Sequence, residues 1–460
     1  MTTMGSLNNA GTVDVENGST LTINGAVDNS GNLYTNQQGI GGNNTINIGG
    51  MLTNEAGGVF TLNGPTDMAT IGTPAMPTSM SNAGTVDLEN GSSLTVNGTA
   101  DNSWELFTSS NGGTGHNTVN VTGALTNEGT GEFILSGPGD LGTLGSLSNA
   151  GFVDLENGSK LQVTNDVNNS GSLFTSFILA SGGNAINIGG GLTNSGGFAL
   201  YGPGDTATIG GNVNNSGALD VEGGSTLQIG GNVTNSGMLE TNATGVVGMN
   251  TIAITGTLTN TLTGQITLNG PGDLLQVNGM GGLTNNGVIN VNNGSSIDPQ
   301  SFTNLGTLNI DGTSRFVVGT PTPMGGQGYI QLANGTLNEI INGYGPCGNG
   351  NCGLITVNGS ALLAGTLDIM LKAGFNPTVG SEFTILTASP GQLSGKFSSI
   401  LGDIFNGGTE MWAVTYDSND GLLELTAQPN GSPVPEPATL LVLVPGLMAA
   451  GYGLRRKLFR

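Results

Sequence analysis

Positive charge is scarce in this chain. Of its 460 residues only 8 are Lys or Arg, against 31 Asp and Glu, for a formal net charge of −23. Four of the eight (Arg455, Arg456, Lys457 and Arg460) stand in the last six positions. The first 434 residues therefore keep only Lys160, Arg315, Lys372 and Lys396 beside all but one of the acids. A nucleic-acid binder needs a basic surface to meet phosphates, so that class is excluded. Such a body is also ill suited to phosphorylated metabolites and better suited to a secreted, solvated surface. A single His and two Cys exclude a His/Cys zinc centre. Aromatics make up only 5%, which argues against propeller blades, whose repeat of about 40–45 residues is also longer. Charge-driven disorder fails as well, because only 8% of residues are charged and 36% are hydrophobic.

Glycine is what the chain has in plenty: 84 residues, far above the usual ~7%. The glycines follow no three-residue period, which excludes collagen. They belong to a repeat. The phrase NAGTVDVENGS at Asn9 returns as NAGTVDLENGS at Asn82, NAGFVDLENGS at Asn149, NSGALDVEGGS at Asn215 and NNGVINVNNGS at Asn285. A shorter phrase, Asn followed closely by Gly, lies inside it. It marks Asn9, Asn29, Asn54, Asn82, Asn102 (where Trp104 replaces the Gly), Asn127, Asn149, Asn169, Asn194, Asn215, Asn235, Asn260, Asn285 and Asn304. Single steps of about 20 to 25 residues thus build a three-step cadence near 68.

Each step holds two or three short runs that alternate apolar and polar, such as Thr12-Val13-Asp14-Val15-Glu16 and Thr20-Leu21-Thr22-Ile23-Asn24. Period two is the mark of half-buried strands. One such coil cannot bury its apolar face alone, but stacked coils can. The prediction is an all-β fold: a parallel β-solenoid, wound as a right-handed β-helix, of about 13 coils over residues 1–320. Gly and Asn supply the positive φ its corners need, and equivalent Asn residues are placed to stack and exchange amide hydrogen bonds. A string of β-sandwiches is the weaker alternative. The repeats resemble those of filamentous-haemagglutinin and autotransporter-passenger β-helices, through phrases such as Gly191-Leu192-Thr193-Asn194-Ser195-Gly196.

Composition changes after residue 320. Pro321 and Pro323 open a linker, and residues 321–428 carry longer strands with Phe375, Phe383, Phe397, Trp412 and Tyr416. We expect a C-terminal β cap that closes the apolar interior; a carbohydrate groove around Trp412 and Tyr416 is the alternative. Cys347 and Cys352 flank Gly-Asn-Gly-Asn, a spacing that suits a disulfide staple in an exported protein rather than a Cys-x-x-Cys redox pair.

Residues 429–437 form a linker ending in Pro435-Glu436-Pro437. A single hydrophobic helix is expected over 438–454, short but sufficient to span a bilayer, before a basic cytoplasmic tail at 455–460. This tripartite end resembles the PEP-CTERM sorting signal of Gram-negative bacteria. The resemblance implies an exosortase as processing partner, with Pro435, Glu436 and Pro437 as the sorting motif and Arg455, Arg456 and Lys457 as the basic stop signal. It also implies an inner-membrane precursor, later found at the cell surface or in an exopolysaccharide-rich matrix. Residues 1–20 hold neither a charged nor an apolar leader segment, so an export signal and further coils are expected upstream.

Two acidic sets recur at the long period: Asp14/Glu16, Asp87/Glu89, Asp154/Glu156 and Asp220/Glu222, and, after Gly-Pro turns, Asp67, Asp140, Asp205 and Asp273. An active site is singular, whereas these are repeated, so they are expected to be solvated rungs. Weak Ca²⁺ sites at the second set and a catalytic carboxylate pair are the alternatives. His116 is expected to be an exposed loop residue. The glycine clusters lack the Lys-Ser/Thr of a phosphate cradle, and Thr20-x-Thr22 starts a threonine ladder that its equivalents (Lys160-x-Gln162, Thr226-x-Gln228) break. These observations point to a non-enzymatic, exported structural or adhesive rod, with no cofactor and with exopolysaccharide or other surface glycans as partners. The alternatives are a polysaccharide-active lyase or glycosidase and an ice-binding protein.

Overall fold

A computed structural model describes residues 1–37, 41–112, 114–178, 181–245, 248–319 and 326–431. Over these residues the chain is a parallel β-solenoid of about 14 turns, with almost no helix among them. A coil consists of three short strands, for example Thr226–Ile229, Val233–Asn235 and Met238–Thr241. Each strand pairs in parallel only with its equivalents in the coils before and after, as Leu227 does with Ala207 and Ile252. The rod thus has three faces, formed by the first, second and third strands of successive coils.

Alternation fills the interior. First strands turn in Leu227 and Ile229, second strands Val233 and third strands Leu239, all at most 1% exposed. Coils that place Phe60, Phe133 and Phe198 inside from the third strand place Ala69, Gly142 and Ala207 inside from the next, a large-with-small pairing that keeps the interior full. A Cβ on Gly142 would lie 3.2 Å from the Phe133 ring.

The second strand carries the Asn of every step, and all fourteen are buried side by side. Each Nδ2 donates to the Oδ1 of the next coil's Asn at 2.7–2.9 Å, from Asn9 to Asn304 without a gap. The other amide hydrogen reaches a carbonyl where the next coil's third strand begins; Asn169 donates to Gly197 O at 2.8 Å. The dipoles all run one way, which favours mutual polarisation along the chain. Gln331 ends the ladder, accepting from Asn304 and from the Tyr329 hydroxyl. Thirteen steps of about 4.8 Å from Asn9 to Asn304 give the ladder a length of roughly 60 Å.

The corners use the predicted chemistry. Asn90 and Gly91, like Asn157 and Gly158, both adopt positive φ between the third strand and the next first strand. Glycines two residues after ladder Asn residues have a second reason: a Cβ on Gly196 would lie 2.0 Å from Gly171 O in the coil before, and one on Gly217 2.0 Å from Gly196 O.

Parallel pairing continues past residue 320, with Thr307–Ile310 beside Thr336–Ile341 and then Thr366–Leu371. At the far end Glu410–Asp417 and Leu422–Pro429 form an antiparallel pair, the latter strand also lying antiparallel to Glu382–Thr387. Cys347 and Cys352 are joined in a disulfide, Cα atoms 4.4 Å apart. Trp412 is 2% exposed and packs on Phe383 and Phe405, so it belongs to the interior and forms no carbohydrate groove. Among the described residues no helix is long and apolar enough to cross a membrane. The expected helix at 438–454, the Pro435-Glu436-Pro437 motif and the basic tail lie outside the described residues.

Candidate functional site

The third face departs from simple repetition, and it does so every third coil. After Thr35, Thr108, Thr175 and Thr241 the chain makes a longer connection before re-entering the first face beyond Asn44, Asn117, Asn184 and Asn250. These Asn residues are buried and tie three coils together. Asn117 accepts at Oδ1 from the Gly91 and Ser92 amides of the coil before, at 2.9 and 3.0 Å. Its own backbone N–H and Nδ2 donate to Asp140 of the coil after, at 2.8 and 3.2 Å. Asn184 and Asn250 do the same between Ser159 and Asp205 and between Ser225 and Asp273.

The second acidic set is therefore internal. Asp67, Asp140, Asp205 and Asp273 are 0% exposed, and the expectation of solvated rungs is wrong for them. Both oxygens of Asp140 are filled, the second by Ser109 Oγ at 3.1 Å and Gly137 N at 2.9 Å. A carboxylate saturated by N–H and O–H donors has no edge left for calcium. Among the described residues no cluster of three or more His, Cys, Asp or Glu has metal-holding geometry.

The first set is corrected too. Asp87/Glu89, Asp154/Glu156 and Asp220/Glu222 are all at most 5% exposed, although strand alternation turns Asp87, Asp154 and Asp220 outward. The next coil's longer connection covers them. Ile178 N donates to Glu156 at 2.7 Å, Asn111 N to Glu89 at 2.8 Å and Ser110 Oγ to Asp87 at 2.7 Å, while the Thr244 backbone and hydroxyl both bond Glu222. Only Asp14 and Glu16 are half-buried. Burial, then the neighbouring Glu156 carboxyl, pushes Asp154 up to about 8; burial, then Glu222, does the same to Asp220. Asp87 rises to about 6, chiefly through burial. The Asp154/Glu156 and Asp220/Glu222 pairs therefore hold a proton at neutral pH, and all three pairs fasten the connections above them.

Aromatic side chains distinguish this face further. Up to residue 319, the aromatic residues not committed to the interior all lie on the third strands or their flanking turns: Tyr34, Trp104, Phe107, Phe152, Phe174, Phe177 and Tyr201. Phe174 packs against Phe152, Phe177 and Tyr201 with ring centroids 5.2–6.1 Å apart.

Slots open along this face beside the described residues of the longer connections. One slot, of about 370 Å³, is polar, lined by Thr61, Asn63, Glu89, Asn90, Asn111 and Gly112. The next, of about 530 Å³, is largely apolar, with Phe107, Ile134, Pro138 and Ile178 around it. His116 is exposed in a positive-φ connection, as expected. The bridging Asn residues were overlooked, although Asn44, Asn117, Asn184 and Asn250 recur at the same 73-, 67- and 66-residue steps as the long phrase. No family model matches this chain, and no curated protein matches it.

Proposed function

We propose that this protein is a non-enzymatic, exported rod of the cell envelope or extracellular matrix, structural or adhesive, and associated with exopolysaccharide. The observation that supports it most is the unbroken ladder of fourteen buried asparagines, which makes the body one stiff column. The recurrent acids are used to fasten neighbouring coils and do not converge on one reacting centre, which favours a scaffold over the polysaccharide-cleaving alternative. In this reading the coils wind right-handedly, as parallel crossover connections do. The antiparallel pair at 410–429 caps the interior against edge pairing. The tail at 435–460 sorts the chain: the segment 438–454 holds the precursor in the inner membrane, with Arg455, Arg456 and Lys457 on the cytoplasmic side, and an exosortase cleaves near Pro435-Glu436-Pro437.

Intact mass and location in the producing cells test this. A mature form ending near residues 435–437 and found outside the inner membrane is expected. An uncleaved form held in that membrane would overturn the sorting assignment and, with it, the exopolysaccharide link.

A further inference from the structure

We propose that the apolar slot on the third face, between the connections that follow Thr108 and Thr175, binds a short segment of a neutral glycan. The slot spans coils that pair in register, with Phe107 beside Ile134 and Ile134 beside Asp154. Ser110 and Gly112 on one side and Ile178 on the other belong to coils three apart, about 14 Å, and flank a groove two short coils wide. Phe107, Ile134 and Pro138 line it, Ile178 on the far connection is 55% exposed beside it, and Ser110, Ser136 and Asn157 complete it.

Three observations together select the ligand. The volume, about 530 Å³, falls in the range of small-molecule sites, and such sites combine apolar walls with a few polar groups. A sugar ring presents the matching surfaces: C–H faces that settle on an aromatic π-cloud, whose face is negative, and hydroxyls that meet Ser and Asn at the edge. Among the described residues no charged side chain lines the slot, while the Asp87/Glu89 and Asp154/Glu156 pairs lie under its two sides in a chain of net charge −23. That field repels anionic polysaccharides and leaves neutral ones unaffected. The preceding slot, bounded by Asn111 and Gly112 at one side, puts Thr61 and Asn63 where this one has Ile134 and Ser136, so the apolar slot is a local modification of a repeated frame.

This inference rests on the reading of the rod as glycan-associated and names the site. The test uses the full chain in detergent micelles, as wild type, Phe107→Ala and Ile178→Asp. Both residues face outward, so the interior is untouched, and circular dichroism checks each fold. Affinity electrophoresis is run in gels holding a neutral β-glucan, polygalacturonate as anionic control, or exopolysaccharide from the producing cells. Retardation of the wild type by the β-glucan, weakened at least tenfold in both variants and absent with polygalacturonate, is the expected result. Retention of wild type and variants alike on the exopolysaccharide would overturn the slot and leave the rod's association standing. Slot-dependent binding of polygalacturonate would overturn the neutral class. Failure of the wild type to bind any of the three would overturn the association and the slot together.

Discussion

The inner column of the second face and the outer column of the third face are built on the same spacing, yet they obey different rules. Along the inner column every coil to Asn304 presents Asn. Along the outer column the residues read Asp14, Tyr34, Thr61, Asp87, Phe107, Ile134 and Asp154 in paired register. A buried amide needs both a donor above and an acceptor below, and only another amide supplies both at each step. Identity is therefore enforced from neighbour to neighbour. On the outer column no position has to pass an amide hydrogen bond from one coil to the next, so each is free to acquire a charge, a ring or a methyl group. Specific recognition belongs on the second kind of column, and stiffness comes from the first.

The strongest way to break this comparison is to interrupt the inner column. Asn169→Ala removes the acceptor of Asn149 and the donor to Asn194, leaving two buried groups unmet at about 1–3 kcal/mol each. A loss of about 3–5 kcal/mol in urea unfolding is expected; a loss below about 1 kcal/mol would show that the ladder is ornamental. Next comes the corner network. Asp140→Ala leaves the backbone amides of Asn117 and Gly137 unmet and should cost about 2–3 kcal/mol. Its signature is local: faster amide exchange at Ser109–Gly112 with little change around Asn260. Equal loosening along the whole rod would erase the distinction between column and fastening.

A smaller effect follows pH. Asp154 and Asp220 keep their protons to about 8 in the folded chain, whereas the unfolded groups release them near 3.8. The folded state binds more protons across that window, so this contribution to stability is full below it and is lost as pH rises. Melting should fall by roughly 2–5 °C between pH 5 and pH 8. Asp154→Asn with Asp220→Asn should flatten that slope, and an unchanged slope would reject the proton-holding pairs. Smallest of all, Thr259→Ser, on the outward side of the second strand Leu258–Asn260, should shift stability by no more than about 0.5 kcal/mol. A larger change would mean that outer positions of the second face are not free.

Much of this was legible in the residues. The fourteen ladder positions from Asn9 to Asn304, the stacking of their amides, the three-coil cadence and the Asn-Gly corners all follow from local spacing. The Cys347–Cys352 staple was readable too, because five residues of separation leave few other geometries. The second acidic set was misread because its Asp residues sit in Gly-Pro turns whose amides fold over them, and the first for a different reason. Alternation says which way a side chain leaves its own strand, and it correctly turns Asp154 away from the interior. It says nothing about a connection from the next coil folding over that side chain, as the one bearing Phe177 and Ile178 does. Trp412 was open to two readings because a ring near the end of a solenoid serves a groove or a plug equally well until its neighbours, Phe383 and Phe405, are known.

By itself, then, the sequence determined the architecture, since stacking identical coils is the way such short half-apolar strands bury their faces and meet their amides. Only the tertiary structure decided which polar groups became internal and where a slot opened. Both depend on contacts between residues 20 to 30 positions apart on adjacent coils, where a connection a few residues longer covers one surface and leaves the next exposed.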